Sequence, residues 1–118
     1  MGAALKAIDA AQKELAINPD NSRPAYLGAI ALIAIGETDR AHEWAMRALT
    51  IEPDDVLCQY NIACVYALSG ELSQAFETLE RVLSSANHET KSWVKYDSDF
   101  EPLHSDPRWE NIRRLIEN

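Results

Sequence analysis

The sequence predicts an all-helical fold built from repeated helix pairs, and three observations carry that expectation. A shift of 34 residues aligns Gly2 with Gly36 and Gly70, Ala7 with Ala41 and Ala75, and Leu15 with Leu49 and Leu83. Ile17 likewise matches Ile51, Pro19-Asp20 matches Pro53-Asp54, and Glu37 matches Glu71. A repeat of that length is one supersecondary unit, too small to bury its own faces and stable only when stacked. Second, each recurrent residue has a physical role. The glycine closes a helix in the left-handed region that a side chain would penalise. The alanine sits where two helices approach closely, the leucine returns to the same face about two turns later, and the proline ends the second helix. Third, the bulk composition suits one packed domain, 1–118, with 47% hydrophobic and 25% charged residues in 118. That is enough apolar surface to offset the entropy of ordering and to exclude a disordered chain.

The elements follow in order. Residues 3–17 read as a helix with Leu5, Ile8, Ala11 and Leu15 on one stripe. By register this is the second helix of a partial first repeat, 2–20. The chain is therefore expected to be a piece cut from a longer protein, or an array that starts on half a unit. Asn18 to Ser22 supply turn chemistry and a cap. A second repeat, 22–53, holds a helix over 23–35 that is apolar nearly all round and expects burial on every side, then a helix over 38–50 carrying Ala41, Trp44, Ala45, Ala48 and Leu49. A third, 55–87, holds helices over 55–69 and 72–85. The period lapses in the remaining 88–118, an atypical C-terminal cap. Residues 88–96 allow a short helix around Trp93, and 97–103 read as irregular. Pro107 is expected at the first position of a last helix, with Trp109, Ile112, Leu115 and Ile116 on its dry side and Glu110, Arg113, Arg114 and Glu117 on its wet side.

The run Gly36, Ala41, Ala48, Leu49 and Pro53 resembles the second half of a tetratricopeptide repeat. Asn61, Ala63, Tyr66, Gly70, Ala75, Val82 and Leu83 resemble most of another. The resemblance covers residues 2 to 87 and departs at Gly28, where the family prefers leucine, and at Asn87, where it prefers proline. It implies a tetratricopeptide-type α-α superhelix whose concave groove, lined by the first helix of each pair, receives a peptide or helix. The tail, with Trp93, Asp97, Asp99, Phe100, Pro102, Leu103, Asp106, Pro107, Arg108 and Trp109, resembles the end of such regions in bacterial signalling proteins, among them class III nucleotide cyclases and serine/threonine kinases. This implies a regulatory module of a larger bacterial signalling protein.

Helical phase and the resemblance together place Tyr26, Leu27, Ile30 and Ile33 on the groove side of one helix, and Leu57, Tyr60, Asn61 and Cys64 on that side of another. Asn61 is expected to hydrogen-bond a partner's backbone. The alternative for these side chains is packing against a neighbouring helix. Relatives that clamp a C-terminal carboxylate line their grooves with lysine and arginine. The matching faces here are mostly apolar, which argues against that use.

Chemistry has no visible home in the sequence. His42, His88 and His104 lack the paired spacing of a metal site and read as surface residues. Asp97, Asp99 and Glu101 alternate as at the start of a calcium loop, yet Pro102 stands where that loop needs glycine and Arg108 where it needs glutamate. They read as a solvated loop and cap. His104, Ser105 and Asp106 are sequence neighbours, unlike a hydrolase triad. Cys58 and Cys64 lie about 240° apart on one helix, cannot easily pair, and read as reduced thiols of a cytoplasmic protein, Cys64 as a small buried hydrophobe. No enzyme activity, metal or cofactor is expected. The net charge of −8 argues against nucleic acid and anionic membranes. The longest apolar run, 25–35, falls short of the roughly eighteen residues a membrane span needs. The expected partner is a protein or peptide. The competing expectation is a homodimer that covers the apolar faces left bare by the incomplete first repeat.

Overall fold

The computed structural model describes residues 2–85 and 87–117. Met1 and Asn118, the ends of the expected domain 1–118, and Ala86, near the end of the expected third repeat, lie outside them. The described chain is helical, without a strand: α1 (Gly2–Ile17), α2 (Ser22–Ala34), α3 (Thr38–Ile51), α4 (Val56–Leu68), α5 (Leu72–Ser84), α6 (His88–Tyr96), a 3-10 turn (Ser98–Phe100), α7 (Glu101–His104) and α8 (Trp109–Glu117).

The 34-residue spacing reappears as local geometry. Gly36 and Gly70 both adopt φ of 81°. Around each, two nested hydrogen bonds close the helix. Gly36 N–H donates to Ile33 at 3.0 Å and Glu37 N–H to Leu32 at 2.9 Å; Gly70 N–H donates to Ala67 at 3.3 Å and Glu71 N–H to Tyr66 at 2.9 Å. This is the Schellman arrangement, which satisfies the last carbonyls of a helix and needs a left-handed residue. The helix starts repeat too. Asn21 accepts from Arg23 N–H, and Asp55, 34 residues on, accepts from Leu57 N–H. Gly2 is the first residue of α1.

α2 and α3 form one hairpin, α4 and α5 the next, and α1 packs on α2. Ser22, at the start of α2, donates to Glu52, just past α3, at 2.9 Å, so the two helices run antiparallel. α2 also packs along α4, which stacks the hairpins into a body of 41 × 26 × 21 Å. α4 is shared between two cores. Cys58, Ile62 and Val65 join Ile8, Leu15, Tyr26, Ala29 and Leu32 on one side. Tyr60, Ala63, Cys64 and Ala67 join Phe76, Leu79, Val82, Phe100, Leu103 and Ile112 on the other. Completely buried aliphatics such as Leu32, Ile62 and Leu79 each contribute about 1.5–3 kcal/mol.

Ala41 and Ala75 are fully buried, as close packing requires, but Ala7 is exposed and Leu5 is half exposed, because described residues cover only one side of α1. The expectation that the 23–35 helix is buried all round is corrected: Leu27 and Ala34 of α2 face outward. α4 is the helix that is buried almost all round. Residues 97–103 are not irregular but hold the 3-10 turn and the start of α7. Pro107 lies in a turn two residues before α8 rather than at its first position.

The run Asp106 to Trp109 clasps this cap to α5. Arg108 sits over the Phe76 ring at 4.7 Å and donates to Ser73 at 2.9 Å. Its side chain also bonds Asp106, whose carboxyl it holds below the usual carboxylate range. Trp109 packs on His104 with ring centroids 4.3 Å apart.

Candidate functional site

α2 packs along α4, and α6 meets α4 where Trp93 faces Tyr60; the three helices carry Leu27, Leu57, Leu68, Trp93 and Tyr96, all large, apolar and at least two-fifths exposed. Single exposed apolar residues are ordinary, and only a contiguous patch of them carries weight as a binding surface.

The groove residues expected from sequence divide into two sets. Leu27 and Leu57 are exposed, and Ile30, Ile33 and Asn61 are half buried. Tyr26, Tyr60 and Cys64 are buried. Tyr26 packs into the first core, where burial raises its phenol. The Asn61 side-chain amide donates to its own helix at the Leu57 carbonyl, 2.9 Å away.

Tyr60 is the most heavily engaged of them. Its ring meets Trp93 edge-on at 6.0 Å and Phe100 edge-on at 5.6 Å, and its hydroxyl donates to the Asp97 carboxylate. The other Asp97 oxygen accepts the Asp99 N–H at 2.9 Å, opening the 3-10 turn. Burial, then the bond to Asp97, pushes the Tyr60 phenol up. One carboxylate thus fixes both the end of α6 and the turn against α4.

Cys64 lies one helical turn beyond Tyr60. Its Sγ and one oxygen each of Asp97 and Asp99 fall within 4.8 Å of one another. Burial, then the charges of Asp97 and Asp99, push the Cys64 thiol up. Metal ligation and nucleophilic attack both need the thiolate, which this environment opposes. Asp99 is itself raised, by burial first and by Asp97 second. The reading of Asp97 and Asp99 as solvated is corrected, since both are half buried; Glu101 is exposed. His42 is corrected likewise: it is half buried, pairs with Ser69 at 3.0 Å and packs on Tyr66. His88 and His104 are exposed.

Two depressions meet over Tyr60. One, of about 310 Å³, is lined by Tyr60, Ser92, Trp93, Tyr96 and Asp97. The other, of about 230 Å³, is lined by Val56, Leu57, Tyr60, Thr90 and Trp93. A third, of about 400 Å³, lies between α1 and α2 over Ala7, Ala10, Ala11 and Leu27. Sequence reasoning placed Tyr60 and Leu57 on this side and missed Trp93, Tyr96 and Asp97 as its other wall. The only available signal was the clustering of two aromatics and an acid at one end of a short helix.

Both cysteines are buried free thiols. No helix among the described residues is long and apolar enough to cross a membrane. No protein-family model matches the chain, and no curated protein matches it.

Proposed function

We propose that this chain is a protein-interaction scaffold that binds a peptide or helix along the side formed by α2, α4 and α6. The supporting observation is the pair of hairpins closed by the same Schellman turn at Gly36 and Gly70, together with the exposure of Leu27, Leu57 and Trp93 on α2, α4 and α6. Stacked hairpins present rigid, preformed surfaces, and rigid surfaces bind with little ordering cost. The resemblance of the repeated residues to tetratricopeptide repeats, and of the tail to bacterial signalling proteins, favours the same reading: a regulatory module rather than an enzyme. A peptide array probed with the purified chain and with its Leu27→Ser plus Leu57→Ser variant tests it. Peptides bound by the parent are expected to lose about thirtyfold in affinity with the variant, since each of the two exposed leucines contributes of the order of 1 kcal/mol when covered. An array with no binder, or binders indifferent to both changes, would contradict the scaffold.

A second reading, self-association through α1, is favoured by Leu5 and Ile17, which are 52% and 72% exposed on that helix. Light scattering that gives twice the chain mass of 13.2 kDa supports it, and a clean monomer removes it.

A further inference from the structure

We propose that the notch between α4 and α6 receives a lysine or arginine side chain from a basic partner segment, while the adjoining depression over Leu57 takes that segment's neighbouring apolar side chain. The inference rests on the interaction-scaffold reading above and names the partner's chemistry.

The larger depression is lined by three aromatic residues, Tyr60, Trp93 and Tyr96, together with Asp97, whose carboxylate accepts from Tyr60 and from the Asp99 N–H. Aromatic faces attract cations through the ring quadrupole, and tryptophan does so most strongly. Tyr60 and Trp93 stand at 73° to each other with centroids 6.0 Å apart, so they form two walls of a corner rather than a closed stack. Trp93 is 43% and Tyr96 is 74% exposed, which leaves ring surface open to a ligand. Lys95 already places its ammonium 5.4 Å from the Tyr96 ring centroid, so one ring of the notch holds a cation in the free chain.

Charge around the notch points the same way. Glu89 lies one turn before Trp93 on the same face of α6, and exposed Asp54 lies just before the helix that carries Leu57. The chain as a whole carries −8. Against these stands Lys95, a like charge beside the Tyr96 ring whose side chain also lines the separate depression against α8. Lys91, two residues before Trp93, is turned about 200° away around α6. A peptide is favoured over a free ammonium because the second depression shares Tyr60 and Trp93 with the first and is lined by Val56, Leu57 and Thr90. One cationic and one apolar side chain, adjacent on a chain, fill both.

The test uses three capped hexapeptides identical except at one position next to leucine: arginine, its neutral isostere citrulline, or glutamate. Each is titrated into the full chain by calorimetry, at low and high salt. The arginine peptide is expected to bind about three- to tenfold more tightly than the citrulline one, with the advantage shrinking in salt. Trp93→Ala is expected to weaken it about tenfold, and Lys95→Gln to tighten it by about two- to threefold. Both positions are exposed, and circular dichroism verifies that each variant stays folded. Equal binding of the arginine, citrulline and glutamate peptides overturns the cation preference and leaves the scaffold reading intact. So does a Trp93→Ala variant that binds as the parent does. No binding of the arginine peptide up to about millimolar concentration overturns the proposal, and the array above then decides the scaffold separately. A concentration-dependent dimer abolished by Trp93→Ala also overturns it, because a second copy then covers the notch.

Discussion

The six-membered ring of Trp44 fills the space that a side chain at Gly28 would enter: a β-carbon there would collide with its Cε3 and Cζ3 atoms. The same β-carbon would stand 3.3 Å from Cβ of Ala11. Gly28 is buried in the middle of α2, where glycine ordinarily costs about 1 kcal/mol relative to alanine. Gly28→Ala therefore tests the contact by sign. Helix propensity alone stabilises the variant, whereas overpacking against a large ring destabilises it by about 1–3 kcal/mol. Urea denaturation is expected to show a loss, most of it recovered when Trp44→Leu is combined with it. A gain in stability for Gly28→Ala alone would show that the ring has room to move.

How much of this was legible in sequence depended on whether the signal was local. Glycine, alanine and leucine at a fixed spacing gave α1 to α5, because each helix end and contact uses nearby residues. Gly28 read as a departure from the repeat, and Trp44 simply as core of the next helix. Their fit is a pairwise, non-local fact that neither position announces. The joint at Tyr60 failed for the same reason. Its hydroxyl bonds Asp97, 37 residues away, across a stretch where the period has lapsed. Aspartates at alternate positions read as solvent-facing because nothing local showed that Cys64 and Tyr60 would cover them. The exposure of Leu27 and Leu57 fits the faces that helical phase and the resemblance together assigned them; the aromatic residues of α6 carried no such signal.

The two glycine turns offer a matched pair. Nothing lies within 4 Å of a β-carbon at Gly36 or at Gly70, so alanine there meets only the conformational cost of its positive φ. Each substitution is expected to destabilise by about 1–2 kcal/mol, and the two by similar amounts. Thermal denaturation of the single variants and the double variant measures this. A negligible effect at one turn and a large one at the other would break the equivalence of the hairpins.

Thiol reactivity follows from burial. Desolvation, with Asp55 and Glu52 nearby, pushes Cys58 up to about 11, and Cys64 is raised as well. Neither is ionised to any useful extent at about pH 8, and both are shielded. A disulfide-exchange reagent is expected to label neither in the native chain and both once urea unfolds it. Prompt labelling of one equivalent in the native state would contradict the buried placement.

Asp99 carries a pH dependence with a definite sign. Its carboxyl is raised in the folded chain, so the native state holds that proton more tightly than the unfolded chain does. The resulting stabilisation is present below the ordinary aspartate value and is lost as pH rises through the raised one. Asp99→Asn removes that loss. Relative to the parent, the variant is expected to fare better near neutral pH than at the acid end of the titration, as measured by urea midpoints at both. The opposite ordering would mean that the folded state favours the carboxylate.

The scaffold reading is tested most directly by amide chemical shifts of the labelled chain, recorded while a peptide retained on the array is added. Shifts concentrated at Leu27, Leu57, Asn61, Trp93 and Tyr96, saturating together, are what the reading requires. Shifts confined to α5 and α8, or none at all, would contradict it.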